Sequence, residues 1–452
     1  MMQEAFRAYL EEAIGRENAL VAFSAFEQPA SVSVRMNPFK KCHLFEGEPV
    51  RWCKWGRILE ERPVFTLDPH FHGGAYYVQD SSSMFVGEIF RQCLESVDVP
   101  AGRPVRVLDL CAAPGGKTTD LAASLRERFG DGFVLVANEV MKQRVGVLAS
   151  NVALWGDPNV VVTSDDPSAF AALEGFFDIV VADVPCSGEG MFRKDESAQQ
   201  QWSENNVALC EGRQRRIVAD MWPSLAGGGV LVYSTCTFNR LENDGNVRWV
   251  IDELEADALY DEEESVYDGV IKTVSGFSLV PGFVKGEGQY CSAVRKKGKV
   301  GAPGKMRLGR TKAVALPEGL KQIFSVDMVL KQRGETVIAV PAKINEDVEY
   351  ISSRLHVLAS GCAVGTIKGK DLVPDADLAL SIALKEDAYP AVDVDRQTAL
   401  AFLHRDAIVL SDAPKGFVLV RYEGVPLGFV KNLGNRCNNL HPQGRRIRMD
   451  IK

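Results

Sequence analysis

The sequence predicts an α/β protein that has a parallel sheet at its centre and a mostly β unit near its end. Between residues 96 and 297, continuous runs of Val, Ile and Leu alternate with helical patterns, as in "FVLVANE" followed by "KQRVGVLASNVALWG". Such runs are typical of parallel strands that are covered on both faces. In the last ~140 residues, short alternating runs such as "FVLVRYEG" indicate β-strands instead.

Composition indicates several folding units in a cytoplasmic protein. The 452 residues exceed an ordinary single core. No apolar run is long enough to span a membrane, and the first residues lack a signal-peptide core. The ten cysteines include no C-x-x-C pair and there are six histidines, so we expect no metal site and reduced thiols.

The elements follow in order along the chain. Residues 1–95 combine a helical pattern over 2–23 with the extended "ASVSVRMNPFK" and a turn-rich stretch, which indicates an α+β unit. Residues 96–297 form the α/β unit, with "GQYCSAVRKK" as a last strand at the sheet edge. A basic Gly/Pro-containing linker over 298–324 precedes a β-rich unit over 325–390 and a second one over 391–452.

Charge is distributed unevenly along this acidic chain, whose net charge is −8. From Lys285 to Lys312, nine basic residues stand against one acidic residue, and from Lys415 to Lys452 eight stand against two. Two basic segments in an acidic protein indicate either solvated surface or a surface that binds a polyanion such as RNA.

The segment "LDLCAAPGGKTTDLA" predicts a cofactor loop between a strand and a helix, where backbone N–H groups face a ligand. We expect Gly115 and Gly116 to permit close approach of that ligand. A phosphate-binding P-loop requires glycine where Cys111 stands, and the dinucleotide pattern G-x-G-x-x-G is also absent.

Acidic residues at two later strand ends favour a nucleoside without phosphates. Glu139 ends the second strand, where a carboxylate can accept both ribose hydroxyls, and Asp165 ends the third, near an adenine amino group. Asp166 is an alternative to Asp165. This set favours S-adenosylmethionine over NAD or ATP.

Two cysteines follow strand ends, Cys186 shortly after Asp183 and Cys236 in "YSTCTF". A thiolate that adds to carbon 6 of cytosine makes carbon 5 nucleophilic, and an acid near ring nitrogen 3 assists this step. We expect helix N-termini after both cysteines to supply the positive field that thiolates require. The alternative is that each cysteine is an apolar core residue.

Several segments resemble the Sun/Fmu-type RNA cytosine-5 methyltransferases. They are "DLCAAPGGKT", "ADVPCSGEG" and "YSTCTFNRLEN", with "VRMNP", "YYVQDSSSM" and "GEGQYCSAVRKK" around them. The tail "VPLGFVKNLGNRCNNLHPQGRRIR" is similar to the PUA-type RNA-binding unit of the bacterial RsmF-like branch, which modifies 16S ribosomal RNA. The resemblance implies a Rossmann-like S-adenosylmethionine-dependent methyltransferase domain between an N-terminal α+β RNA-binding domain and a β-rich, PUA-like C-terminal appendage.

The resemblance also implies roles for individual residues. Cys236 would be the nucleophile, Cys186 would assist release of the methylated base, and Asp183 would contact the ring nitrogen. The cofactor pocket would be lined by Cys111, Ala112, Ala113, Pro114, Gly115, Gly116, Lys117, Glu139, Arg144, Asp165 and Asp183. Lys117 would brace the cofactor or the RNA backbone. Val184 departs from the family, which has alanine there.

The expected activity is therefore methylation of a cytosine in RNA by a monomer, with 16S rRNA or a small-subunit intermediate as substrate. Two alternatives stay open, a tRNA cytosine-5 methyltransferase and a non-catalytic RNA-binding protein of ribosome assembly. Phe192, Trp202 and Phe238 are either core residues or a receptor for a base that leaves its stack.

Overall fold

Two helices begin the chain where the sequence predicted one. The computed structural model describes residues 4–41, 45–100, 102–260, 267–299, 319–369 and 371–451. Helices α1 (Glu4–Ile14) and α2 (Arg16–Phe26) are separated by Gly15, which has φ of 85°. Glycine adopts this left-handed conformation without steric cost, so the prediction of one helix over 2–23 is wrong at Gly15.

The rest of the N-terminal unit is a small antiparallel sheet with two helices. The elements are β1 (Val32–Met36), β2 (Glu48–Val50), β3 (Cys53–Leu59), α3 (Pro69–His72), β4 (Tyr76–Val78) and α4 (Phe85–Ser96). The strand order is β2-β3-β1-β4.

The central unit contains the largest sheet of the described residues. Its strands are β5 (Val105–Asp109), β6 (Phe133–Asn138), β7 (Val160–Thr163), β8 (Phe177–Asp183), β9 (Leu225–Thr235), β10 (Ala256–Ala258), β11 (Ile271–Lys272), β12 (Phe277–Leu279) and β13 (Gln289–Lys296). Its helices are α5 (Gly116–Phe129), α6 (Lys142–Trp155), α7 (Glu196–Gln201), α8 (Glu204–Met221) and α9 (Asp244–Glu253).

Five parallel strands in the order β9-β8-β5-β6-β7 form the middle of this sheet. Strand β13 pairs antiparallel with β9, and β12 and β11 continue beyond it, so β13 is not the edge strand that the sequence predicted. Successive residues of β5 enter different buried clusters, with Val107 on one face and Leu108 on the other. Burial on both faces explains the unbroken apolar runs of the sequence.

The C-terminal region forms two further four-stranded sheets. The elements of this region are β14 (Met328–Arg333), β15 (Thr336–Pro341), α10 (Asn345–Ser352), β16 (Val357–Ser360), β17 (Cys362–Lys368), β18 (Asp371–Pro374), α11 (Ala376–Leu380), β19 (Ala391–Asp393), α12 (Arg396–His404), β20 (Gly416–Tyr422), β21 (Val425–Asn432) and β22 (Cys437–Asn439). The strand orders are β14-β15-β17-β18 and β19-β20-β21-β22, and β16 belongs to neither of these sheets. Residues 300–318, most of the basic linker expected from the sequence, lie outside the described residues.

Several contacts attach the C-terminal region to the rest of the protein, and two of them lie at β7 and near α3. Strand β16 pairs antiparallel with β7 and thereby covers an edge of the large sheet. The last sheet packs near α3, where the Glu423 carboxylate lies 3.4 Å from the His70 ring and Arg396 donates to the Leu67 carbonyl. The α/β sheet and the β-rich C-terminal region agree with the predicted fold class.

Candidate functional site

Two cysteine side chains lie in contact at the carboxyl edge of the large sheet. Strands β8 and β9 run parallel with Asp183 opposite Ser234, so the loops that follow them leave the sheet side by side. The Sγ atoms of Cys186 and Cys236 are 3.1 Å apart, and both residues are half-buried free thiols. The fold therefore brings together two sulfur atoms from positions 50 residues apart.

Asp183, the last residue of β8, is held by a cation from the predicted cofactor loop. The Lys117 ammonium donates to Asp183 Oδ2 at 2.8 Å, and the Ser234 hydroxyl donates to Oδ1 at 2.8 Å. The side chain of Lys117 is 15% exposed, so water screens this ion pair only weakly. In this structure the partner of Lys117 is thus a carboxylate of the site itself.

The charges around the two sulfur atoms differ. Burial acts to lower the pKa of Lys117, but the Asp183 carboxylate and the Cys236 sulfur overcome it and leave that pKa raised. A hydrogen bond to Cys236 and burial raise the pKa of the Cys186 thiol well above its ordinary value, and the carboxylates of Glu242 and Asp183 add to this shift. Positive charge thus lies beside Cys236, whereas Cys186 retains its proton.

The helices expected after the two cysteines do not begin directly after them. Helix α9 begins at Asp244, eight residues after Cys236. Only a 3-10 turn, Glu189–Met191, follows Cys186 closely. No α-helix therefore begins directly after either cysteine, and a cation that interacts with the Cys236 sulfur is Lys117.

Backbone conformation and packing restrict the two glycines in the loop after β5, in addition to the close approach of a ligand that the sequence indicated. Gly115 has φ of 111°, which favours glycine. A Cβ on Gly116 would lie 3.2 Å from the Tyr77 ring. Packing against the N-terminal unit, in addition to any ligand, therefore restricts this position.

Three side chains from other elements fix the same loop. Arg144 donates to the Ala113 carbonyl at 2.7 Å, and Asn151 donates to the Pro114 carbonyl at 2.8 Å. Arg35 of β1 is buried and donates to the Gly116 carbonyl at 3.0 Å and to the Thr119 hydroxyl at 2.6 Å. The sequence indicated Arg35 only as part of "VRMNP".

The acidic residues predicted at two strand ends have partners within the protein. Glu139 is buried, accepts from the Met141 N–H at 2.8 Å and lies 3.3 Å from the Arg144 guanidinium. Asp165 accepts from the His356 N–H at 2.9 Å, and Asp166 caps the 3-10 turn Pro167–Leu173. Glu139 and Asp165 do not line the cleft that Cys236 lines.

A cleft of about 440 Å³ lies between Cys236 and the loop, and Cys186 is not part of its lining. Its lining includes Cys111, Ala112, Ala113, Pro114, Gly116, Lys117, Arg144, Asp183 and Cys236, together with Tyr77, Gln79, Asp80, Lys194 and Gln289. The N-terminus of α5, which has 14 residues, opens beside this loop. A lining that combines the N-terminus of a helix, an arginine and a carboxylate fits a zwitterionic cofactor such as S-adenosylmethionine.

The three aromatic residues considered for base binding belong to the core. Phe192, Trp202 and Phe238 are each at most 3% exposed, in one cluster with Phe6 and Phe26 of the first two helices. The rings of Phe6 and Phe192 are 4.9 Å apart in an edge-on arrangement. Their role in this structure is to attach the N-terminal helices.

Val184, which departs from the family pattern, also packs inward. Its side chain is 3% exposed within a core cluster, and its N–H donates to the Ser234 carbonyl at 3.0 Å. The added bulk therefore lies in the core.

Segments outside the strands of the last sheet carry exposed basic side chains. Arg436, Arg446 and Arg448 are exposed.

Across the described ranges, no helix is both long and apolar enough to cross a membrane. In the same part of the chain, His, Cys, Asp and Glu side chains form no group of three that could hold a metal ion.

Three family models match successive parts of the chain. A model of the N-terminal domain of 16S rRNA methyltransferase RsmF matches residues 2–81, one of 16S rRNA methyltransferase RsmB/F matches 101–295, and one of the methyltransferase RsmF PUA domain matches 389–447. Ribosomal RNA small subunit methyltransferase F of Enterobacter sp. (strain 638) is 30% identical over 474 residues, which cover 97% of this chain and 94% of that protein.

Solved structures support the fold. NSun6 from Pyrococcus horikoshii with SFG is 19% identical, with a TM-score of 0.54 over 66% of this chain and 99% of that chain. A methyltransferase homolog protein from the same organism is 24% identical, with a TM-score of 0.53 over 65% and 95% of the two chains. At these identities the similarity shows a common fold.

Proposed function

The chain belongs to the ribosomal RNA small subunit methyltransferase F family and uses S-adenosylmethionine to methylate rRNA, and from this premise we propose that it methylates carbon 5 of a cytosine in 16S rRNA through a transient covalent bond to Cys236. One observation carries the proposal. The Cys236 and Cys186 sulfur atoms are 3.1 Å apart, and Cys236 lines a cleft with Asp183. This is the set of groups that addition to a cytosine ring requires.

Cys236 is the nucleophile because positive charge lies beside it. A sulfur anion adds to carbon 6, and the electron pair of the carbon 5–carbon 6 bond moves through the ring towards nitrogen 3. The Lys117 ammonium and the Asp183 carboxylate form an ion pair, in which the ammonium carries the proton that can be transferred. That proton passes through Asp183 to ring nitrogen 3 and returns when the product leaves.

S-adenosylmethionine supplies an electrophilic methyl group to carbon 5. The residues that would hold it are those of the loop Cys111 to Lys117, together with Arg144 and the strand-end acids Glu139 and Asp165. Because Glu139 now faces the Arg144 guanidinium at 3.3 Å, its contact with a ribose would compete with that ion pair.

Cys186 assists release of the methylated base. The bond between carbon 5 and its hydrogen breaks, the proton passes to the Cys186 sulfur, and the carbon 5–carbon 6 double bond re-forms. The electron pair of the sulfur–carbon 6 bond returns to Cys236. Cys186 must first lose its own proton to solvent, so release becomes faster as pH rises towards the raised pKa of this thiol.

The C-terminal region is proposed to dock the RNA. The exposed Arg436, Arg446 and Arg448 can contact phosphates, which favours an ionic-strength-dependent affinity. The proposed division is an RNA-binding domain over 1–95, the methyltransferase domain over 96–297, a linker over 298–324, a β-rich domain over 325–390 and a PUA-like domain over 391–452. We propose that the protein acts as a monomer in the cytoplasm on 16S rRNA or a small-subunit intermediate.

Two cysteine substitutions and a matched control test this function. We expect Cys236→Ala to abolish methyl transfer, and Cys186→Ser to leave a protein–RNA adduct that survives denaturing electrophoresis. Cys437→Ala, which removes another half-buried thiol, should leave both properties unchanged. If Cys236→Ala retained the adduct and Cys186→Ala eliminated it, the two roles would be reversed.

Bisulfite sequencing of rRNA from a deletion strain should show one unprotected cytosine, and an unchanged rRNA map would redirect the search to tRNA.

A further inference from the structure

Two buried carboxylates, one from each cysteine loop, tie the loops to each other. Glu189 lies in the loop after β8, and its Oε2 accepts from the backbone N–H groups of Phe238 at 2.7 Å and Asn239 at 3.1 Å. Glu242 lies in the loop after β9, and its Oε2 accepts from the backbone N–H of Ser187 at 3.0 Å. Each loop therefore receives a carboxylate from the other.

One amide group joins the two carboxylates. The Asn239 Nδ2 donates to Glu189 Oε1 at 2.9 Å and to Glu242 Oε1 at 2.8 Å. Gln214 of α8 donates to Glu242 Oε2 at 2.7 Å, and Trp202 donates to Glu189 Oε1 at 2.9 Å. Glu189 is 1% exposed and Glu242 is 0% exposed. Because buried carboxylates are costly without hydrogen bonds, this arrangement holds both loops in one position.

We propose that Glu242 is a positioning residue for Cys186, with Glu189 as its counterpart on the other loop. The charge of Glu242 also keeps the Cys186 sulfur protonated until the release step begins. This inference rests on the proposed function for the release step alone. The Glu242 carboxylate accepts a hydrogen bond from the backbone N–H of Ser187, which directly follows Cys186 in the chain. Movement of this carboxylate therefore moves the Cys186 sulfur.

The absence of a cation at this pair supports an electrostatic role. Within the described residues, neither Glu189 nor Glu242 lies within ion-pair distance of a lysine or arginine side chain, and their recorded donors are neutral N–H and O–H groups. A tether between two loops could use neutral amides at lower desolvation cost. Desolvation raises the pKa of Glu242, and the negative charge of Glu242 is one of the causes of the raised pKa of Cys186.

The first test measures Cys186 without any RNA. In full-length protein with Cys236→Ala, the rate of alkylation of Cys186 by iodoacetamide is followed against pH by mass spectrometry of the cysteine-containing peptide. Glu242→Gln should move the midpoint to lower pH, by about one unit, because it removes a negative charge close to the thiol. Glu253→Gln, on the exposed end of α9, should leave the midpoint unchanged.

The second test measures release. Wild-type protein and variants with Cys236 present are mixed with substrate RNA and S-adenosylmethionine, and decay of the denaturation-resistant adduct is followed against pH. Glu242→Gln should move the profile to lower pH and slow decay about tenfold at the plateau, since a misplaced reacting group is costly. Glu242→Asp keeps the charge but shortens the side chain by about 1.5 Å, so it should slow the plateau without moving the profile.

The outcomes separate this inference from the proposed function. If Glu242→Gln moves neither the alkylation midpoint nor the release profile, the inference is wrong while the function stands. If no variant, including Cys186→Ser, forms an adduct, the proposed function fails, and the alkylation midpoint still decides the role of Glu242. Should Glu242→Gln fail to fold, Glu242→Asp is decisive, because an unchanged release plateau in that variant contradicts positioning.

Discussion

A single methyl group at Gly190 should separate the two cysteine loops. Gly190 follows Cys186 in the same loop, and its N–H donates to the Cys236 carbonyl at 2.9 Å. A Cβ added to Gly190 would lie 2.7 Å from the Gly288 Cα, 2.8 Å from the Gly288 oxygen and 2.9 Å from the Cys236 oxygen. All three atoms belong to the backbone, so no side chain can rotate away.

The expected size of the effect follows from these distances. Carbon atoms in contact prefer about 3.5–4.0 Å, so the loop in Gly190→Ala must move by roughly 1 Å. Overpacking of this kind costs about 1–3 kcal/mol of unfolding free energy. Displacement of a reacting group by about 1 Å lowers turnover by about 100-fold. Because Gly190 and Gly288 line the same cleft as the loop Cys111 to Lys117, the affinity for S-adenosylmethionine should fall as well.

The assay is incorporation of labelled methyl groups from S-adenosylmethionine into RNA, with cofactor affinity from calorimetry and stability from urea unfolding. Gly212→Ala is the matched control, since nothing lies within 4 Å of the added Cβ at this exposed position of α8. That control should be stabilised by about 1 kcal/mol, because alanine favours a helix over glycine, and should keep wild-type turnover. Wild-type turnover in folded Gly190→Ala would refute the claim that loop contact sets the sulfur positions.

Two further predictions concern groups outside the sulfur pair. Arg35→Met should lower the free energy of unfolding by about 3 kcal/mol and the affinity for S-adenosylmethionine by roughly tenfold. The reason is that it removes a buried cation that holds the Gly116 carbonyl. An unchanged affinity in calorimetry would show that Arg35 does not support the loop. Burial lowers the pKa of His441 to about 4, whereas in the unfolded chain it is about 6.5. Since the unfolded state then binds more protons, His441 should remove about 3 kcal/mol of stability as pH falls from 6.5 to 4, and His441→Leu should abolish this part of the pH dependence in urea unfolding.

Much of the fold could be predicted from local patterns. Strands that are buried on both faces require unbroken apolar runs, and parallel strands require helices between them. The sequence pattern therefore predicts the central sheet. The same regularity places the ends of β8 and β9 at one edge of the sheet, so the strand pattern alone predicts that Cys186 and Cys236 lie close together. Gly15 and β16 were not foreseen, because a helix break at one glycine and pairing with a distant edge strand leave no periodic signal.

The amino-acid sequence by itself determined which chemical groups are available. These are two thiols, a carboxylate and a glycine-containing loop, which lie at the ends of strands. Only the tertiary structure decided which charges act on them. Lys117 reaches Asp183 across 66 residues, and Glu242 reaches the loop of Cys186 across 55. The physical reason is that electrostatic interactions depend on distance in space and on burial, and neither quantity is encoded in local sequence.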